Sequence, residues 1–426
     1  MRDNGASRKT VNKKTNAVQF KRLIMNTREE KQISSIEEER KIQLEKLNSL
    51  NKPYSMFIDV DELDSHALRQ FVDCLGDPSV VEGAIMPDAH VGYTLPIGGI
   101  VSTRNIVFPS FQGVDIACSV SCIELTHSYE ELMHGDNRKK VFDQIYRDVP
   151  VGRRSHKKSQ LNRAGAAFAA AINDTSPLAK KLMESHGKFQ LGSLGGGNHF
   201  IEIGYCDKNR LYLSVHSGSR HLGNALAEHY ARIAHPENRK EGVYGLDAKS
   251  DEGRMFLKDS EFCTLYAREN HLIMIDLIVE ALNRHLKQGT AISDTHIYST
   301  HNAISVDPES SLYIHRKGAT PANSGQYGVI PGNMRDGVFI VRGKGNRDSL
   351  YSASHGAGRV MSRNEAISAI AMEDFKKQME GITAKVDEGT RDESPAAYKN
   401  IFSVLDLQKD LIDVKKHIRP VINCKG

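Results

Sequence analysis

Glycine placement constrains this chain more than any other feature. Half of its 34 glycines fall in five polar junctions: Gly92 to Gly99, Gly192 to Gly197, Gly218 to Gly223, Gly325 to Gly345 and Gly356 to Gly358. Such junctions divide a chain into short elements and leave main chain at strand ends open to a ligand. Between them, β-branched runs at 211–216, 295–300, 311–315 and 337–342 read as strands. Helical spacing appears at 33–50, where Ser35-Ile36-Glu37-Glu38 resembles a capping box, and in the alanine-rich stretch 157–172. It is clearest at 260–288, where Phe262, Leu265, Leu272, Ile275, Leu282 and Leu286 recur and Gly289 can cap the end. Strands and helices mix without a regular βαβ rhythm, which predicts an α+β fold with mixed sheets surrounded by helices, not a doubly wound sheet. No internal repeat or low-complexity linker divides residues 51–426, so one large body is expected there, preceded by a basic tail and helical extension over 1–50.

No apolar run approaches the roughly 18 residues that span a bilayer, and the first residues lead into no apolar signal core. Those readings predict a cytoplasmic protein with no membrane partner. The six cysteines (Cys74, Cys118, Cys122, Cys206, Cys263, Cys424) are scattered and form no CxxC, which argues against a disulfide framework or a zinc ribbon. The net charge of +4 permits an acidic partner without demanding one. Residues 1–22 hold Arg2, Arg8, Lys9, Lys13, Lys14, Lys21 and Arg22 against the single acid Asp3, a composition shared by solvated tails and nucleic-acid arms. No GxxxxGK[ST] run is present, which excludes a Walker phosphate loop.

Histidines sit at the borders of the glycine junctions: His90, His199, His216 and His301, each flanked by small residues. Asp115 and Cys118 lie in Gly113-Val114-Asp115-Ile116-Ala117-Cys118. A thiolate can bridge two metal ions, imidazoles suit first-row transition ions, and a carboxylate admits manganese. Two close ions could clamp phosphate oxygens. Spacing alone leaves open that Cys118 is a buried small hydrophobe. In Ser352-Ala353-Ser354-His355-Gly356-Ala357-Gly358-Arg359, small neighbours leave His355 uncrowded, and Arg359 offers a fork suited to phosphate. That histidine could be a nucleophile, an acid/base, a ligand or a turn cap.

From about Ile85 to the last residue, the chain resembles the RtcB-type GTP-dependent RNA ligases. The motifs MPDAHVGYTLPIGG, GVDIAC, GGGNHFIE, HSGSR, THN, HRKGATPA, VRGKGN, SASHGAGR and the terminal CKG occur in that order. The resemblance implies joining of an RNA 3′-phosphate or 2′,3′-cyclic phosphate end to a 5′-hydroxyl end, in RNA repair or tRNA splicing. It implies two Mn²⁺ ions bridged by Cys118, with Asp115 and His199 completing one site and His216 and His301 the other. His355 matches the histidine that takes GMP from GTP. Asn198, Phe200, Glu202, Tyr398 and Lys425 match residues that hold the guanylate, with Asn333 and the Gly356, Ala357, Gly358 and Arg359 run beside it. Asp88 matches an acidic residue near the site. Arg220, Lys317, Lys344 and Arg359 are candidates for RNA or triphosphate contact, and the family pattern leaves room for an activating protein.

Two stretches depart from that pattern. The common Pro-Gly-Ser-Met-Gly turn reads Pro331-Gly332-Asn333-Met334-Arg335-Asp336-Gly337, and Ser-Arg-Gly reads Ser219-Arg220-His221. Both bear on substrate choice more than on chemistry. Two other classes compete: a dinuclear metal-dependent phosphoesterase acting on RNA ends, which has no use for a guanylate set, and a non-catalytic RNA-binding factor, in which the ligand set would decay.

Overall fold

The computed structural model describes residues 36–206, 210–239 and 242–426. The basic run over 1–22 and Ser35 of the expected capping box lie outside them. The chain falls into two compact units, Met1–Asn51 and Lys52–Gly426. The described part of the first is a helix over 36–49.

The second unit is α+β, as the unpatterned order of elements predicts. One antiparallel sheet runs, in spatial order, Tyr327–Pro331, Val338–Gly343, Ile412–Lys425, Phe200–Tyr205, Leu211–Ser217, Ser119–Leu125 and Ile297–Thr300, with Thr383–Ala384 pairing parallel to Ile412–Lys425. A five-stranded sheet runs Tyr54–Met56, Val80–His90, Ile97–Thr103, Tyr313–Lys317 and Asn302–Val306, and only its first pair is parallel. Both sheets pass through one residue, His301, which separates Ile297–Thr300 of the first from Asn302–Val306 of the second. The four strands expected from β-branched runs all form, within three residues at either end.

Side chains alternate across a strand, so each sheet face needs its own cover. Ile123, Ile201, Ile203, Leu213 and Val215 pack on one face of the larger sheet with Leu222, Leu226, Phe256, Phe262, Ile273 and Ile278 of the helices Arg220–Ala234 and Asp251–Asn283. On the other face, Val120, Cys122, Phe200 and Tyr212 meet Val329, Val338, Ile340 and Ile418. A third cluster joins Ala84, Met86, Ile100 and Ile314 of the five-stranded sheet to Phe339, Val341, Ala353 and Ala357.

The long helix begins earlier than its apolar spacing suggests. Ser250 caps it, its hydroxyl accepting the Gly253 N–H at 3.0 Å, and it ends at Asn283 instead of 288. The helix expected over 157–172 shrinks to Ala166–Ala171, flanked by short 3₁₀ turns. Only Phe168 of that segment is buried, so alanine propensity has little packing to sustain a longer helix. All six cysteines are free. Among the described residues, no helix is long and apolar enough to cross a membrane.

Gly337 closes the hairpin Tyr327–Pro331/Val338–Gly343 at φ +74°, donating its N–H to Asn333 O at 3.0 Å and accepting from Gly332 N–H at 2.8 Å. A Cβ there would press into the Ile418 carbonyl oxygen. Gly337→Ala is therefore expected to lower unfolding free energy by about 2 kcal/mol or more, read from urea denaturation.

Candidate active site

The elements deliver five ligand-type side chains to one end of the larger sheet. Cys118 immediately precedes strand Ser119–Leu125, His199 precedes Phe200–Tyr205, His216 lies near the end of Leu211–Ser217, and His301 is the residue at which the sheets exchange. The turn holding Asp115 and Cys118 is tight: Ala117 adopts φ +62°, its N–H donates to Asn302 O at 2.8 Å, and the Cys118 N–H reaches Asp115 O at 3.1 Å. His301 N–H donates to Cys118 O at 2.9 Å, locking that turn to the sheet junction.

Asp115, His199, Cys118, His216 and His301 touch in that order. His199 Nε2 lies 3.1 Å from Asp115 Oδ2 and 3.5 Å from Cys118 Sγ; His216 Nε2 lies 3.3 Å from Cys118 Sγ and 3.4 Å from His301 Nε2. The thiol therefore sits between two pairs of ligand-type groups. Donor atoms of Cys118, His199 and His216 all lie within 4.8 Å of one another, and all three residues are buried. Burial, then the neighbouring histidines, push His216 and His301 well below the ordinary imidazole pKa, so both present neutral rings with lone pairs. Burial and then Asp115 push the Cys118 thiol up. Burial opposes charge on Asp115 too, but the hydrogen bond to His199 and that residue's charge hold its carboxyl below the usual range. An S/N/O donor set crowded this closely suits transition-metal ions, which would relieve the cost of a buried thiolate.

Polar rungs from the long helix brace the loops behind the ligands. Asn270 donates Nδ2 to Ser193 O at 3.2 Å and to Ser217 Oγ at 3.2 Å, and its Oδ1 accepts the Ser193 N–H at 3.1 Å. His271, held neutral by burial with a pKa near 3, bonds Ser217 O and Ser121 Oγ. His199 Nδ1 donates to Leu194 O at 3.0 Å, which turns Nε2 toward Asp115 and Cys118.

His355 follows the short strand Ser352–Ser354, its ring 4.9 Å from that of His301. Asp88, fully buried, accepts three N–H groups on Oδ2: His355 Nδ1–H at 2.7 Å, His355 N–H at 3.1 Å and Gly356 N–H at 3.2 Å. A carboxylate accepts only, so Nδ1 carries a proton and, in the neutral ring, Nε2 holds the lone pair. Gly358, at φ +75°, lies so close to Asp88 that a Cβ would strike its carbonyl. Arg359 turns inward, donating to Tyr398 Oη at 3.3 Å, Glu393 Oε1 at 3.4 Å and Asp392 O at 2.7 Å.

A second polar nest centres on Glu393, which the sequence reading missed. It accepts from Lys425 Nζ at 2.6 Å, Tyr398 Oη at 2.7 Å and Arg363 Nη1 at 2.6 Å. Burial would raise its carboxyl, but Lys425 and Arg363 outweigh that and lower it. Lys425 also donates to Asn198 O at 3.3 Å and stands 5.4 Å over the Phe200 ring. Strand register explains the grouping: Phe200 pairs with Lys425 on one side and His216 on the other, and Glu202 pairs with Asn423. Asn423 donates to Glu202 Oε2 at 3.0 Å, while Glu202 Oε1 is buried without a partner. Burial raises the Glu202 carboxyl to about 8.

Three further candidates divide. Asn333 spends its amide inside its own turn, accepting from the Arg335 and Asp336 N–H groups and donating to Asp336 Oδ2 at 2.7 Å. Lys344 pairs with Asp413 at 3.0 Å and Lys409 O, and bonds none of the residues above. Arg220, at φ +60°, lines a cleft of about 460 Å³ with Gly152, Arg153, His186, Gln190, Gly196 and His221. The rings of His186 and His221 lie 4.8 Å apart there.

Residues 70–426 match the family model described as tRNA-splicing ligase RtcB. The chain is 31% identical over 407 residues to the RNA-splicing ligase RtcB of Escherichia coli K12, covering 90% of this chain and 99% of that one. It is 26% identical over 422 residues to the tRNA-splicing ligase RtcB of Thermococcus kodakarensis (80% and 87% covered), and 26% over 393 residues to RtcB2 of Escherichia coli ATCC 25922 (85% and 93%).

Because Cys118 touches both histidines flanking it, Cys118→Ser should weaken divalent transition-metal affinity by about 100-fold, more than a change at either outer ligand. Competition against a fluorescent chelator, with Mn²⁺ as the probe, reads the difference.

Proposed function

The chain belongs to the RtcB family of RNA-splicing ligases, and on that premise we propose that it joins an RNA 3′-phosphate or 2′,3′-cyclic phosphate end to a 5′-hydroxyl end, consuming GTP with two Mn²⁺ ions bound. The Asp88–His355 pair beside the ligand cluster carries this reading.

Asp88 fixes the His355 tautomer, so Nε2 acts as the nucleophile. Attack on the GTP α-phosphorus forms an N–P bond and expels pyrophosphate. An oxygen of the RNA 3′-phosphate then attacks the same phosphorus, breaking the N–P bond and leaving GMP on the RNA end. The 5′-hydroxyl attacks the RNA phosphorus, GMP departs, and a phosphodiester remains. A cyclic end is first hydrolysed to the 3′-phosphate. Asp115 with His199 and His216 with His301, sharing Cys118, would hold ions that neutralise phosphate charge. Glu202 offers its free Oε1 to guanine N–H donors, Phe200 supplies a ring face, and the Glu393 nest holds Lys425 in place.

A phosphoesterase would need the ligands but neither the oriented imidazole nor Glu202 and Lys425. The test supplies 3′-phosphate and 5′-hydroxyl RNAs with GTP and Mn²⁺. Joined RNA with GMP and pyrophosphate is expected; phosphate release without joining would contradict the reading. Asp88→Ala, which removes the acceptor that sets the tautomer, should slow joining by about 10³-fold or more. Guanine donors favour ionised Glu202, whose carboxyl in the free protein sits at about 8. GTP affinity should therefore rise with pH up to about 8, by at most about tenfold per unit, and level off above it. Glu202→Gln should flatten that slope in equilibrium titrations.

A further inference from the structure

Tyr93 is the most exposed large apolar side chain among the described residues, at 71%, although the strands on both sides of its loop are almost wholly buried. The loop is fastened in place. Gln70 of helix Ser65–Leu75 donates Nε2 to Gly92 O at 2.7 Å and Tyr93 O at 2.8 Å, and its Oε1 accepts the Gly92 N–H at 2.9 Å. One side-chain amide thus clamps the main chain that presents the ring.

Beside that ring lies Lys317 Nζ, 5.9 Å from the centroid. Lys317 is only 4% exposed, and its ammonium has no hydrogen-bond partner. At that distance, near the outer limit of a cation–π contact, the ring is a weak partner for a group with three donors. A buried, unpaired cation is costly, so the position calls for an acceptor that the fold does not supply. Loops from both sides press on the lysine: a Cβ on Gly92 would come within 3.2 Å of Nζ, and one on Gly113 within 3.3 Å of Cε. Val114, beside Asp115, and Val91 add exposed apolar surface to the same loops.

Lys317 is also tied to the reacting groups. A Cβ on the next residue, Gly318, would lie 3.1 Å from His355 Cε1. The Gly318 N–H donates to Asn302 Oδ1 at 2.8 Å, and Asn302 Nδ2 donates to Asp115 O at 3.0 Å. The lysine is thus one residue from main chain that abuts His355 and bonds through Asn302 to the metal-ligand loop.

We propose that Tyr93 and Lys317 form the seat for the terminal nucleotide of the RNA 3′ end, its base stacked on the Tyr93 ring and its terminal phosphate against the Lys317 ammonium. The inference rests on the ligase reading above and narrows it. A stacking ring accepts any base, so this seat is indifferent to sequence at the terminal position and selective for an end that bears phosphate. Tyr93 is a positioning residue for the RNA; the chemistry stays with His355.

The probe is a short RNA carrying 2-aminopurine as its 3′-terminal nucleotide, prepared with a 3′-phosphate and, separately, with a 3′-hydroxyl. Stacking on Tyr93 should quench the fluorophore in the wild-type protein and in Tyr93→Phe, but not in Tyr93→Ala. The KM for RNA should rise about tenfold in Tyr93→Ala and return near wild type in Tyr93→Phe. The 3′-hydroxyl probe should bind about tenfold more weakly than the 3′-phosphate probe. Undiminished quenching in Tyr93→Ala, equal affinity for both probes, or quenching only when the fluorophore is at the 5′ end would overturn the proposal. Joining by the wild-type protein decides the ligase reading separately, since quenching requires binding alone.

Discussion

One buried carboxylate oxygen organises the reactive part of this molecule. Asp88 Oδ2 takes three N–H donors from two consecutive residues, His355 and Gly356. A buried carboxyl oxygen needs donors, and those of Asp88 Oδ2 come from a segment more than 260 positions away in the chain. The bond set therefore does two things at once. It pins the glycine-rich segment after Ser352–Ser354 to strand Val80–His90, and it leaves His355 with one free nitrogen beside the His301 ring. The left-handed backbone at Gly358 and its contact with the Asp88 carbonyl follow from that close approach.

The ligand cluster depends on a second constraint, the exchange between sheets at His301. One strand end would supply one or two side chains to a site. Passing from one sheet to the other at a single residue brings loop ends of both to the same place. The cost is two buried neutral imidazoles, His216 and His301, beside a thiol, in loops held by Asn270 and His271 of the long helix, which spend their polar atoms on loop main chain and serines. These rungs let the loops stay glycine-rich without losing definition.

Much of this was legible in the sequence, and what was not has identifiable causes. Strands rich in β-branched residues, such as Val338–Gly343, declare themselves. Val80–His90 does not, because Gly83 and Pro87 interrupt it, and Ile412–Lys425 carries Lys415, Lys416, His417, Arg419 and Pro420 along its length. The ordered motifs placed Asp115, Cys118, His199, His216, His301 and His355 at glycine junctions, and the structure brings these six together. Glu393 was invisible because nothing in Asp392-Glu393-Ser394 marks it. Its meaning appears only when Lys425, Arg363 and Tyr398 converge on it. Asn333 shows the reverse: a substitution in a familiar turn reads as a ligand contact, yet its amide is consumed by Arg335 and Asp336.

The proposed chemistry turns on where GMP becomes attached. Incubating the protein with α-labelled GTP and Mn²⁺, then mapping the label by peptide mass spectrometry, addresses that directly. The expected result is an acid-labile phosphoramidate on His355 that is absent from His355→Ala. Label on any other side chain, or label surviving in His355→Ala, would contradict it.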